Sequence, residues 1–184
     1  MHVIFLHGVT GVGKRTIAKE LATELGFSFL NFHHLASLLG PVFGYSSNTF
    51  AELRNEATHR MIEQAMELQE DGIICTFTYD PTISLERYRT HIDAAKISNC
   101  IGLFVGLTCD DKVLQRRVKI QTRRFDDDIS DLQRLEESLL SGNVEIPELP
   151  GPSISIDTAG ESSGQSAQNI IALLPDSMKQ ALSF

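Results

Sequence analysis

Apolar residues fall along this chain in two rhythms. Short runs dense in branched and aromatic residues lie at Val3–Leu6, Phe27–Phe32, Ile73–Tyr79, Ile101–Leu107 and Ile154–Ile156, and they predict five strands. The run at 101–107 is nearly all apolar, as expected of a strand covered on both faces. Between the strands, apolar positions recur every three or four residues. Ile17, Ala18, Leu21, Ala22 and Leu25 form one helical stripe that stops at Gly26. Phe50, Leu53, Ala57, Met61, Ala65 and Leu68 form a second, predicting a long helix capped at Asn48–Thr49 that runs to about Glu70 and closes at Asp71–Gly72. Further helices are expected over 83–95, 110–121, 132–140 and 166–174, with an irregular link holding three prolines over 142–152.

Strands alternating with helices pack as a parallel sheet with helices on both sides, an α/β architecture of three layers. Ligands of such sheets bind beyond the carboxyl ends of the strands. That edge collects four segments: Gly8–Thr16, His33–His34, Tyr79–Asp80 and Thr108–Asp111. There is no internal repeat, and 184 residues fit one domain spanning 1–184.

The stretch from Gly8 to Thr16, GVTGVGKRT, carries the clearest chemistry. Gly, four residues, then Gly-Lys is the spacing of a phosphate-cradling loop, here between a predicted strand and a predicted helix. Gly8, Gly11 and Gly13 let the backbone curl, with Thr10 and Val12 between them, so that successive N–H groups converge on one concavity. The helix N-terminus behind it adds positive potential, and Lys14 would reach the outer phosphates of a triphosphate. The next position departs from the pattern. A hydroxyl that ligates magnesium is expected there, and Arg15 stands in its place. Thr16 follows, but one residue is about 100° around a helix, so it is only a candidate metal ligand. Either phosphate and water hold the ion and Arg15 supplies charge, or Arg15 points to solvent.

Charge narrows the partners. The chain has 24 acidic and 16 basic residues, a net charge of −8, which disfavours a generic nucleic-acid or anionic-membrane surface. Three cysteines without a Cys-x-x-Cys fit a reducing, cytoplasmic compartment. The apolar start is too short for a signal peptide, and no run approaches the ~20 apolar residues of a membrane span. A monomer or homodimer is expected.

Against this acidic background Arg116, Arg117, Arg123 and Arg124 crowd into nine residues. Arg117 lies in the middle of the apolar stripe of its helix, among Val113, Leu114, Val118 and Ile120, so it must find a partner or open into a cleft. Pairing with Asp126, Asp127, Asp128 or Asp131 competes with phosphate or base contact. The planar fork of arginine suits phosphate oxygens, and its face suits a nucleobase.

Together GVTGVGKRT, RRVKIQTRR (116–124) and SISIDTAG (153–160) resemble the small-molecule kinases of the P-loop group: shikimate kinase, gluconate kinase and the nucleoside monophosphate kinases. Element order is similar over nearly the whole chain, and the phosphate loop is the specific motif. The resemblance implies a three-layer α/β/α P-loop nucleoside triphosphate hydrolase fold with a five-stranded parallel sheet. It implies a mobile acceptor-binding region at about 33–70 and a lid at about 117–135, with Arg117 and Arg123 as lid arginines. Asp157, Thr158, Ala159 and Gly160 become the turn beside the adenine. One feature differs. Shikimate kinase-like enzymes carry an aspartate after the second strand, where this chain has His33 and His34.

That difference leaves the proton acceptor open between His34, neutral near pH 7, and Asp80, whose other role is a turn cap before Pro81. In an extended backbone His33 and His34 would point opposite ways, one into the cleft. Arg54 on the long helix could reach an anionic acceptor. The expectation is an ATP-dependent kinase, with ATP and Mg²⁺ as cofactors, acting on a small hydroxylated or anionic metabolite. The alternative is an ATP-binding sensor with little turnover.

Overall fold

The computed structural model describes residues 2–45, 47–68, 71–78, 101–124 and 153–181. Five strands lie among them: β1 (His2–Gly8), β2 (Ser28–Leu30), β3 (Gly72–Thr78), β4 (Ile101–Thr108) and β5 (Ser153–Asp157). All pair in parallel, in the order β2-β3-β1-β4-β5. The helices are α1 (Lys14–Leu25), α2 (Phe32–Phe43), α3 (Asn48–Glu67), α4 (Asp111–Arg124), α5 (Ser163–Ala172) and α6 (Asp176–Ala181). This is the three-layer α/β/α P-loop fold.

The period of two along each strand sorts side chains between two cores. Ile4 and Leu6 of β1 join Ile74, Leu103, Val105, Leu107 and Ile156 on one face, under Ile17, Ala18 and Leu21 of α1, Ala167 and Ile170 of α5 and Met178 of α6. Val3 and Phe5 join Ile73, Cys75, Phe77 and Phe104 on the other, under Phe32 of α2 and Ile62 of α3. The expected stripe on α1 is the buried one. Its expected stop holds too, because Gly26 takes the left-handed conformation (φ 67°) that closes a helix.

Three local expectations change. The second strand is three residues long and not six, and α2 begins at Phe32. Phe32 and Leu35, three apart, reach the same core from one helix face. His33 and His34 therefore sit in the first turn of a helix and not in the extended backbone expected for them. The cap of α3 is Ser47, whose hydroxyl accepts from Phe50 N at 3.1 Å, and not Asn48–Thr49. α5 starts three residues early because Ser162 caps it, accepting from Gln165 N. The helices expected over 83–95 and 132–140 and the link over 142–152 lie outside the described residues, as do most of the lid and the end of the acceptor region beyond Leu68.

Because every strand runs the same way, all five carboxyl ends share one edge. β1 is central there, and its neighbours β3 and β4 continue in opposite directions across the sheet. The loop after β1 therefore opens at the point where the strand order reverses.

Candidate active site

The loop from Gly8 to Gly13 turns on positive φ at Gly8 (149°), Gly11 (82°) and Gly13 (103°). Gly8 is also a close approach: a Cβ there would stand 2.5 Å from the Leu107 carbonyl oxygen of β4. Gly13 directly precedes α1 and offers no side-chain cap, so the first N–H groups of the helix have no capping side chain at Gly13. Val12 is fully buried and anchors the loop in the core under α1, while Arg15 and Thr16 are exposed on the first turn of that helix.

Lys14 is buried and folds back over the loop. Its Nζ donates to the Gly8 carbonyl at 2.9 Å and the Val9 carbonyl at 2.7 Å. A triphosphate would have to draw the ammonium from those two carbonyls to phosphate oxygens, exchanging neutral acceptors for charged ones.

Beside Lys14 lies a residue that sequence reasoning passed over. His7, the last side chain before the loop, is 2% exposed and stacks on the Phe77 ring, with centroids 5.4 Å apart. Burial pushes its pKa down to about 4, and the Lys14 charge adds to the effect. The imidazole is thus neutral at any ordinary pH. A histidine ending the run Val3–Leu6 was the available signal.

On the other side of the loop α4 brings in Arg117. Nη1 donates to Thr158 Oγ1 at 3.0 Å and to the Val12 carbonyl at 3.3 Å, and Nη2 donates to the Thr158 carbonyl at 2.6 Å. Thr158 is 2% exposed, and its hydroxyl also lies 3.0 Å from the Val12 carbonyl and 3.1 Å from the Thr108 carbonyl. Its N–H donates to Thr108 as well. Arg117 does leave the core stripe for the carboxyl edge, and its fork engages backbone and hydroxyl oxygens. Asp157 is exposed and accepts from Ala159 N at 2.9 Å, which shapes the turn after β5.

The acceptor candidates are more scattered. His34 is exposed at the start of α2, and its N–H donates to the Asn31 carbonyl. The side chain of His33 lies outside those described. Arg54 lies over the Phe50 ring, 5.4 Å from its centroid, on α3. Asp80 lies outside the described residues, and so does the side chain of Arg123. Among the described residues no group of three His, Cys, Asp or Glu could hold a metal ion. Arg15 holds the expected hydroxyl position, and Thr16, the candidate metal ligand, is exposed beside it on the first turn of α1. Among the described residues, too, no helix is long and apolar enough to cross a membrane.

The model of the AAA_18 family, described as an AAA domain, matches residues 4–134, well over half of the chain, and the chain belongs to that family. No curated protein matches its sequence significantly. Solved structures do match its fold. A sugar kinase from Janibacter sp. HTCC2649 superposes with a TM-score of 0.68 at 15% identity, covering 100% of this chain and 99% of its own. Shikimate kinase from Acinetobacter baumannii, in complex with shikimate, reaches 0.58 at 19%, covering 93% and 91%. Mycobacterium tuberculosis APS kinase, in complex with AMPPNP and APS, reaches 0.58 at 17%, covering 94% and 96%. At such identities the likeness is one of fold.

Proposed function

We propose that this protein is an ATP-dependent phosphotransferase whose acceptor is a small hydroxylated or anionic metabolite. One observation carries the reading: a glycine-turned loop, with Lys14 poised on it and the α1 N-terminus behind it, lies where the strand order of a parallel sheet reverses. Backbone N–H groups and Lys14 take the β- and γ-phosphates, and Arg15 and the arginines near the end of α4 add positive charge as negative charge spreads over the transferring group. Chemistry of this kind asks the protein mainly for position and charge, and the loop supplies both. The fold shared with kinases of sugars, shikimate and APS supports a metabolite acceptor.

The acceptor side is α2 with the start of α3, where His34 and Arg54 lie. His34 is the candidate to take a hydroxyl proton, with Asp80 as its rival. A second reading, a nucleotide-binding sensor with little turnover, draws on Arg15, which holds the place of the metal-ligating hydroxyl. Single-turnover transfer from γ-labelled ATP to a panel of sugars, sugar acids, nucleotides and hydroxy acids separates the two. Labelled product from any acceptor supports the kinase. Tight ATP binding with no transfer across the panel sinks it in favour of the sensor.

A further inference from the structure

The geometry points to Thr158 and Arg117 as a clamp that sets the phosphate loop, acting as positioning residues and not as ligands of the nucleotide; this rests on the reading of the loop as a phosphate site. The Val12 carbonyl is the shared target. It accepts from Thr158 Oγ1 at 3.0 Å and from Arg117 Nη1 at 3.3 Å, so two donors on two different elements fix one oxygen. A peptide unit is planar and trans, so its N–H points opposite to its carbonyl. Fixing the Val12 oxygen toward the turn after β5 aims the Gly13 N–H the other way, toward the concavity of the loop. Gly13, at φ 103°, has no side chain to hold that orientation, and its own carbonyl is taken by Ile17 N at 3.0 Å.

The clamp is itself tied down. Thr158 N–H donates to the Thr108 carbonyl at 2.9 Å, its hydroxyl lies 3.1 Å from the same oxygen, and its carbonyl accepts from Arg117 Nη2. The loop after β1, the end of β4, the turn after β5 and α4 thus meet at one buried threonine. Arg117 has no carboxylate within ion-pairing distance among the described residues, so its charge is held by carbonyl and hydroxyl dipoles. Three of its five N–H groups are engaged in this way. Its position transmits any movement of α4 to the Val12–Gly13 peptide.

Calorimetry with inorganic tripolyphosphate and with ATP tests the clamp, because only ATP has a base. Thr158→Val keeps the shape and removes the hydroxyl. It is expected to weaken both ligands by the same factor, roughly tenfold for a lost buried hydrogen bond. Thr158→Ser restores the hydroxyl and is expected to restore both affinities. Arg117→Met, at a half-buried position that tolerates change better, is expected to show the same shared loss even if Thr158→Val folds poorly. Loss of ATP affinity with tripolyphosphate binding unchanged would put these residues at the base and overturn the clamp. A lower melting temperature with both affinities intact would make them structural only and overturn it too. Lys14→Ala is the control for the underlying reading: if it leaves tripolyphosphate binding intact, the phosphate site itself is wrong, whereas failure of the Thr158 and Arg117 variants alone removes only the clamp.

Discussion

The proposed nucleotide end of this molecule and its proposed acceptor end are built from different materials. Around the phosphate loop almost every determining contact involves the backbone: positive φ at three glycines, the Val12 carbonyl between two donors, and Lys14 on two carbonyls. Around α2 and α3 the candidates are side chains on helix surfaces, with His34 exposed and Arg54 lying over Phe50. Backbone geometry demands particular residues at particular spacings, because only glycine enters some regions of φ and only a buried amide needs a fixed partner. A surface side chain demands nothing of its neighbours in sequence. The first kind of site therefore leaves a pattern in the sequence, and the second does not.

Lys14→Ala breaks the nucleotide end most severely. Transfer should fall by at least ~10²–10³-fold, the scale of losing one preorganised donor to developing charge. Stability should fall by only about 1 kcal/mol, the scale of the hydrogen bonds the lysine donates to two loop carbonyls. Single-turnover rates and denaturant midpoints on the same preparation check both parts. Full activity in the variant would end the comparison at its root.

Gly8→Ala attacks the backbone itself. The added Cβ meets the Leu107 oxygen at 2.5 Å, in a conformation that L-residues avoid. A loss of about 3 kcal/mol is expected from clash and strain together. Gly44→Ala is the matched substitution just after α2, on the proposed acceptor side, where φ is also positive (76°) but no atom lies within 4 Å of the new Cβ. It should cost no more than about 1–2 kcal/mol of backbone strain. Equal losses in urea titrations would show that loop crowding is not special to the nucleotide end.

His7 stands on the border between the two ends, and its titration measures how dry that border is. An unfolded histidine takes up its proton near pH 6.5, and the folded one only near pH 4. Between those values the unfolded chain binds the proton and the folded chain does not, so stability falls as pH drops from 6.5 toward 4, by about 3 kcal/mol over the whole window. Burial lowers His2 as well, which adds in the same direction. His7→Phe should remove most of this slope while keeping the stack on Phe77. Denaturant midpoints at pH 7 and pH 4.5 decide it, and an unchanged slope would mean that water reaches the ring.

What the sequence made legible follows the same division. The three central strands, the α1 stripe and its stop at Gly26 were readable because burial on both faces forces apolar runs and a left-handed cap forces glycine, while the edge strands β2 and β5, less buried, were readable in existence more than in extent. The loop was readable for the same reason. α2 has no counterpart among the expected helices, and it carries Pro41 inside its last turn, a residue that costs an interior hydrogen bond and signals against a helix. The spacing Phe32–Leu35 and the glycine at 44 were the signals for it. Thr158 was read as part of an adenine-side turn. A threonine in a turn carries no mark of the two carbonyl oxygens and the guanidinium nitrogen, on three different segments, that surround its hydroxyl. His7 escaped because a single polar residue ending a strand looks like the first residue of the loop.

The smallest expected effect sharpens the comparison at the one loop position that belongs to neither kind. Arg15 is exposed at the N-terminus of α1, where a cation is disfavoured until an anion arrives. If it supplies charge that a magnesium ion supplies elsewhere, ATP should bind the natural protein with little dependence on magnesium. In Arg15→Ser the charge is gone and the usual ligating hydroxyl is present. Affinity for ATP without magnesium should then fall by about two- to fivefold, the size of a charge interaction at an exposed helix end. Affinity with magnesium should recover, so the magnesium dependence of the variant exceeds that of the natural protein. Thermal melting of the empty variant should rise slightly, because an unfavourable cation has left the helix start. Titrating both proteins with ATP in EDTA and in magnesium checks each part. Identical magnesium dependence in the two would return Arg15 to the solvent and leave the loop glycines and Lys14 to hold the phosphates alone.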